Sequence, residues 1–128
     1  MSSVDLETAP VTPTPYGRWQ PLNAALGLTG AGVSAIVCDP GEEFDIEHDE
    51  AETGQQEVYV VVAGRAEFTI GDERVEAAPG TVVAAPDPAA TRNYRALEPD
   101  TRIVCLGVPA GAGSGQSYGS WISEAASG

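Results

Sequence analysis

The feature that most constrains the fold is a stretch of β-branched and aromatic residues around one glycine, between residues 55 and 70. Val58 to Val62 are residues that favour a packed, pleated strand. Gly64 follows in a short turn, where the absence of a Cβ allows a positive φ. Residues 66 to 70 then alternate between apolar and polar, which is the period of a strand with one apolar face. The pattern predicts two strands joined as a hairpin at Gly64.

One carboxylate at the start of this stretch lies on the same face of the predicted strand as the apolar side chains. Because side chains alternate along a strand, Glu57 points to the same face as Tyr59 and Val61. If that face is the interior, Glu57 lies at the mouth of a β-structured core and is a candidate acid, base or metal ligand. The alternative is an edge residue that faces solvent or pairs with an arginine.

The rest of the chain predicts further short strands and no long helix, with turn signals such as Asp39-Pro40-Gly41 and Pro79-Gly80 between the strands. Residues 16–28 fit either a short helix or an irregular strand. About eight strands at a spacing of about 8–12 residues indicate an all-β sandwich or barrel. The predicted strands cover residues 33–38, 42–47, 58–62, 65–70, 73–77, 81–85, 91–97 and 101–108.

Composition divides the chain into one domain and two flanking segments. Residues 1–18 are polar and interrupted by prolines, which predicts a loose arm. Residues 19–108 carry the predicted strands, and a single domain of this size has room for one core. Residues 109–128 contain a Gly-Ala-Gly-Ser-Gly run, which predicts a flexible tail.

The net charge of the chain limits the classes of molecule that it can bind. Nineteen acidic residues against six basic ones give a formal net charge of −13. Such a surface repels phosphate backbones and anionic lipids, so we exclude nucleic acid and membranes as primary partners. No apolar run is long enough for a bilayer and the first residues lack signal-peptide character, so we expect a cytoplasmic protein. Cys38 and Cys105 lie in strand-like runs and are expected to be buried free thiols.

Two glycine-anchored spacings resemble the motifs of the cupins, which are small double-stranded β-helix (jelly-roll) barrels. The first cupin motif ends with Glu, six residues and Gly, and Glu57 and Gly64 match this ending. The second motif begins with Gly, five residues and Pro, which Gly80 and Pro86 match. The resemblance covers residues 33–108 and implies an all-β cupin barrel.

The sequence departs from the cupin pattern where the family places a metal site of three His and one Glu. Counted from Gly41, the two His positions of the first motif fall on Glu47 and Asp49, and His48 lies between them. The His position of the second motif falls on Thr91. Because the chain contains one His, a single subunit cannot supply three.

The candidate chemical groups come from the first motif. His48 and Glu57 are the candidate catalytic residues, because an imidazole and a partly buried carboxylate suit proton transfer. Together with Glu52, they form a candidate site for one divalent metal ion. The alternative for all three is a solvated acidic loop. We therefore expect either no cofactor or one divalent metal ion.

The candidate ligand-binding residues line the barrel interior, and most of them depend on strand phase. On the strand at residues 91–97, either the odd-numbered residues face inward, or a slip of one residue at Pro88 turns the even-numbered ones inward. An inward Arg92 is expected to pair with Glu57 or to bind a substrate carboxylate. The predicted ligand-binding residues are Tyr59, Thr91, Arg92, Asn93 and Tyr94.

These observations predict a small cupin barrel that binds a small organic molecule and has a degenerate metal site. The alternative is a cupin enzyme, similar to a cyclase, an isomerase or a dioxygenase, in which His48 or Glu57 moves a proton. A third interpretation is an interaction protein that uses the arm and the tail. Because small cupins commonly pair through their sheets, the resemblance also implies a homodimer.

Overall fold

The computed structural model of the chain describes residues 1–42 and 50–109. His48, most of the strand predicted at residues 42–47 and nearly all of the predicted tail lie outside the described residues. The described part contains nine strands and one helix of four residues, and no helix in it has the length and hydrophobicity needed to cross a membrane. The elements are β1 (Thr12–Thr14), β2 (Gly17–Pro21), α1 (Asn23–Leu26), β3 (Gly32–Cys38), β4 (Gln55–Ala63), β5 (Ala66–Ile70), β6 (Glu73–Ala77), β7 (Val82–Ala85), β8 (Arg92–Ala96) and β9 (Thr101–Pro109).

The described strands form two antiparallel sheets, which confirms the all-β prediction. The large sheet has the order β1-β2-β3-β9-β4-β7, and the small sheet has the order β6-β5-β8. β9 lies between β3 and β4, although it follows both in the sequence. β5 and β6 form a hairpin at Gly71-Asp72, where Ile70 pairs with Glu73.

The core lies between the two sheets and follows the predicted alternation. Tyr59, Val61, Phe68 and Ile103 are each at most 1% exposed. They belong to one cluster of buried side chains drawn from both sheets. Burial of an apolar side chain of this size stabilises the fold by about 1.5–3 kcal/mol, so these few strands supply much of the stability.

The prediction of a hairpin at Gly64 is wrong. β4 pairs with β7 and β9, whereas β5 pairs with β6 and β8, so the turn carries the chain from the large sheet to the small one. The apolar faces of β4 and β5 therefore meet across the core. Alternation alone cannot separate two strands that pair side by side from two that pack face to face.

The backbone at the crossing does have the conformation predicted for glycine. Gly64 has a φ of 73°, and a Cβ added there would lie 2.7 Å from the Cα of Thr101. The Thr101 hydroxyl donates to the carbonyl of Glu98 at 2.7 Å and contacts the carbonyl of Arg65 at 3.1 Å. The close approach of β9 therefore requires glycine at this position.

The segment predicted as a loose arm instead packs on the large sheet. β1 and the start of β2 pair with each other, and β2 pairs with β3. The buried side chain of Gln20 donates to the carbonyls of Leu6 at 2.8 Å and Ala9 at 3.2 Å. Glu7 forms an ion pair with Arg102 at 2.6 Å. The prolines led to the prediction of a loose arm, but proline is compatible with pairing on an edge strand.

Candidate functional site

β8 determines which side chains face the barrel interior. Arg92 pairs with Ile70 and Tyr94 pairs with Phe68 across β8 and β5, and the Arg92 side chain is 1% exposed. Thr91 is exposed, and the Arg95 side chain is 60% exposed. Of the two phases left open by the sequence, the structure has the one in which the even-numbered residues face inward.

Arg92 forms a buried ion pair at the mouth of the barrel. Its Nη1 donates to Oε1 of Glu57 at 3.1 Å. Its Nη2 donates to the carbonyl of Asp87 at 2.7 Å, and Nε and Nη2 both donate to the carbonyl of Ala90, at 3.2 and 3.0 Å. Most of the five guanidinium N–H groups are therefore used within the protein. Arg92 acts here as a positioning residue that joins the loop before β8 to Glu57.

Glu57 is engaged on both carboxylate oxygens. While Oε1 accepts from Arg92, Oε2 lies 3.4 Å from Sγ of Cys105, which donates to it. Burial raises the pKa of the Cys105 thiol, and the Glu57 charge raises it further. The thiol is therefore protonated at neutral pH and serves as a hydrogen-bond donor rather than as a nucleophile.

Three aromatic rings form the wall next to this ion pair. The ring centroids of Tyr59, Phe68 and Tyr94 lie 5.3 to 5.5 Å from one another in tilted arrangements. Burial raises the pKa of both tyrosines, so both hydroxyls keep their protons. The Tyr59 hydroxyl is buried and has no hydrogen-bond partner in the described part of the chain. A buried hydroxyl without a partner is unusual in a folded protein.

The described residues do not fit a metal ion. Within residues 1–42 and 50–109, no group of three His, Cys, Asp or Glu side chains is placed to hold one. Glu57 already binds the Arg92 guanidinium, and a second cation at the same carboxylate would be repelled by it. Glu52 is exposed in the turn before β4. His48, the third predicted ligand, lies outside the described residues.

The structure brings some predicted site residues together and separates others. Glu57, Tyr59, Arg92 and Tyr94 meet at one end of the core, while Thr91 is exposed at the start of β8. Asn93 faces outward, because it pairs with Thr69 on the opposite side of the small sheet. Sequence reasoning missed the neighbour of Glu57 contributed by β9, which is Cys105. The alternation of the strand predicted at residues 101–108 was the available signal.

The two facing antiparallel sheets and the glycine crossing between them define a double-stranded β-helix, and the chain has the cupin fold. A cupin protein from Bacteroides fragilis is 23% identical, with a TM-score of 0.66 over 88% of this chain and 87% of that one. KdgF from Halomonas sp. is 20% identical, with a TM-score of 0.67 over 82% of this chain and 92% of that one. A sugar phosphate isomerase of the cupin superfamily from Silicibacter pomeroyi is 17% identical, with a TM-score of 0.64 over 83% of this chain and 74% of that one.

These likenesses confirm the predicted resemblance to cupins at the level of the fold. No protein-family model and no curated protein matches the sequence. Because one fold hosts many chemistries, function has to be argued from the site.

Proposed function

We propose that the protein is a metal-free cupin barrel that binds a small organic molecule at its interior. The observation that carries the proposal is the buried Tyr59 hydroxyl, which has no partner in the described part of the chain. A buried hydroxyl without a hydrogen bond costs about 1–3 kcal/mol, and a bound guest with one polar group removes that cost.

The surroundings of Tyr59 indicate the class of guest. Its ring, Phe68 and Tyr94 form an aromatic wall, and such walls favour flat or apolar molecules. The neighbouring charges of Glu57 and Arg92 already neutralise each other. We therefore expect an uncharged molecule with an apolar body and one hydroxyl or carbonyl group.

Titration with phenol tests the binding proposal. Phenol combines an aromatic ring with one hydroxyl, and we expect saturable NMR shifts of the Tyr59 and Tyr94 ring signals. Tyr59→Phe should weaken binding about fivefold to tenfold, because one hydrogen bond is worth about 1 kcal/mol. Thr91→Val removes an exposed hydroxyl and should leave the affinity unchanged. Equal affinities for the wild type and Tyr59→Phe would contradict the proposal.

Elemental analysis of the purified protein tests the metal-free part. We expect substoichiometric metal in the wild type and no change in melting temperature on addition of a chelator. One divalent ion per chain that is lost in Glu57→Ala would overturn this part of the proposal and favour the enzyme alternative.

The alternative function is an enzyme in which Glu57, with or without His48, moves a proton. The observation in its favour is the hydrogen bond between the Cys105 thiol and the Glu57 carboxylate inside the barrel. One neighbour in fold is called a sugar phosphate isomerase, which is a reaction of this class. The contacts favour binding instead, because both Glu57 oxygens already accept hydrogen bonds, one from Arg92 and the other from Cys105.

We also propose that the protein forms a homodimer through the outer face of the large sheet. Two apolar rows cross β7, β4 and β9 there, and Val62 and Val82 are 43% and 62% exposed. An apolar patch that pairs with its own copy is self-complementary, and it leaves the net charge of −13 per chain in solvent. We call this patch the valine face, and it consists of Val58, Val60, Val62, Val82, Val104 and Leu106.

We place the protein in the cytoplasm. Cys38 and Cys105 are both free thiols, which supports a reducing compartment. Cell fractionation with an antibody tests this location, and recovery of the protein outside the cytoplasmic fraction would contradict it.

A further inference from the structure

One arginine differs from the rest in its electrostatic environment. The sequence has six basic residues, all of them arginines, against nineteen acidic ones. Arg74 has no ion pair and no side-chain hydrogen bond in the described part of the chain, despite this excess of carboxylates. The other five arginines form the pairs Arg18–Asp100, Arg65–Glu76, Arg92–Glu57, Arg95–Glu67 and Arg102–Glu7.

Arg74 lies on the outer face of the small sheet, opposite the barrel interior. Thr69 pairs with Arg74 on one side and with Asn93 on the other, so the three side chains form one row across β6, β5 and β8. Glu67 pairs with Glu76 on one side and with Arg95 on the other, so these three side chains form the next row. Side chains from both rows line a cleft of about 190 Å³.

Three polar side chains of this cleft can donate hydrogen bonds to an anionic ligand. The Arg74 guanidinium, the Thr69 hydroxyl and the Asn93 amide are hydrogen-bond donors, and none of the three has a side-chain partner in the described residues. A guanidinium binds carboxylate in a bidentate manner, and neighbouring hydroxyl and amide donors add to it. Three donors that line one cleft and have no side-chain partner of their own in the described residues indicate a site for an oxyanion.

The charge and the size of the cleft restrict the anion further. The walls of the cleft carry a net charge of one positive unit, because they contain two arginines, Arg74 and Arg95, and one glutamate, Glu67. The net charge of −13 penalises a dianion more than a monoanion. A volume of about 190 Å³ is below the usual range for drug-sized ligands, so it suits a molecule of a few heavy atoms. We propose that this cleft is a binding site for a small monocarboxylate, with Arg74 as its main contact.

Titration with sodium acetate at constant ionic strength, maintained with sodium chloride, tests the proposal. We expect saturable NMR shifts of the backbone amides of Thr69, Arg74 and Asn93. Arg74→Gln should weaken acetate binding about tenfold, because it removes a charge-assisted contact. Since Arg74 makes no ion pair or side-chain hydrogen bond within residues 1–42 and 50–109, this variant should melt at the same temperature as the wild type.

Two further variants make the test specific to the cleft. Arg65→Gln removes the same charge from the same face, but Arg65 pairs with Glu76 and lies outside the cleft, so acetate affinity should be unchanged. Glu67→Gln removes the one negative charge from the walls and releases Arg95, so acetate should bind several-fold more tightly.

Three results would overturn the proposal. Equal losses in Arg65→Gln and Arg74→Gln would show a general surface charge effect, and shifts that sodium chloride alone reproduces would show no site. Tighter binding of inorganic phosphate than of acetate would contradict a monocarboxylate. The barrel is a separate site, so Tyr59→Phe should leave acetate binding unchanged whichever way the phenol experiment ends.

Discussion

At the scale of single residues, the pairing of Arg92 with Glu57 determines the character of the barrel mouth. The Arg92 guanidinium donates to the buried Glu57 carboxylate and is itself held by the carbonyls of the loop before β8. In the cupin pattern this Glu belongs to a metal site, and here the cation beside it is a side chain of the protein itself.

We predict that Arg92→Met destabilises the protein by about 3–5 kcal/mol, because it leaves the Glu57 carboxylate buried without its partner. Urea denaturation of the wild type and the variant measures this loss. The double variant Glu57→Gln with Arg92→Met should recover a substantial part of it, because no unpaired charge remains. A double variant no more stable than Arg92→Met would contradict this account of the pair.

Cys38 gives the protein a predictable response to alkaline pH. Burial, with the charges of Glu42 and Asp39, raises the pKa of its thiol from 9.0 to about 12. The unfolded chain loses this proton above about pH 9 while the folded chain keeps it, so the free energy of unfolding decreases as pH rises from 9 towards 12. The decrease due to one thiol is about 1.4 kcal/mol per pH unit.

Urea denaturation at pH 8 and pH 10.5 measures this response. We expect Cys38→Ala to lose about 2 kcal/mol less than the wild type between the two pH values, because its thiol no longer contributes. The tyrosines and Cys105 remain in both proteins, so the difference isolates Cys38. Identical losses in the two proteins would show that the Cys38 thiol titrates normally in the folded state.

At the scale of elements, the crossing between β4 and β5 depends on one glycine. We predict that Gly64→Ala destabilises the protein by about 3 kcal/mol, because its Cβ collides with Thr101 at a positive φ. Gly71→Ala is the matched control, since Gly71 has a φ of 57° and a Cβ there meets nothing within 4 Å. Thermal denaturation of both variants measures the difference, and equal losses would mean that the contact with Thr101 costs nothing.

The same elements show how far sequence reasoning reached. Alternation correctly predicted the inward phase of Glu57, Tyr59 and Phe68, because burial and period are both local properties. The pairing of β4 with its neighbours in the sheet was not predictable in this way, because its partners on β7 and β9 lie about 20 to 55 residues further along the chain. The phase of β8 depended on the geometry of the Pro86 to Pro88 loop, which periodicity does not encode.

At the scale of the whole molecule, the valine face makes the oligomeric state testable. We predict that replacement of both Val62 and Val82 by Lys converts a dimer into a monomer, because two buried, unpaired cations would have to meet their copies. Sedimentation velocity measures the change in mass. Val75→Lys is the control, since Val75 is as exposed as Val62 but belongs to the small sheet. A monomeric wild type, or dissociation by the control, would contradict the proposed interface.

The position of β9 in the large sheet has a consequence for biosynthesis. β9 fills the gap between β3 and β4, and its pairs join residues about 40 to 75 positions apart. Until residues up to 109 have been synthesised, the edges of β3 and β4 that pair with β9 have no partner, and β4 is rich in valine. Pairing between residues so far apart in the sequence slows folding, and the unpaired strand edges are prone to aggregation until it is complete. The growing polypeptide therefore carries unpaired, valine-rich strand edges until its central strand has emerged.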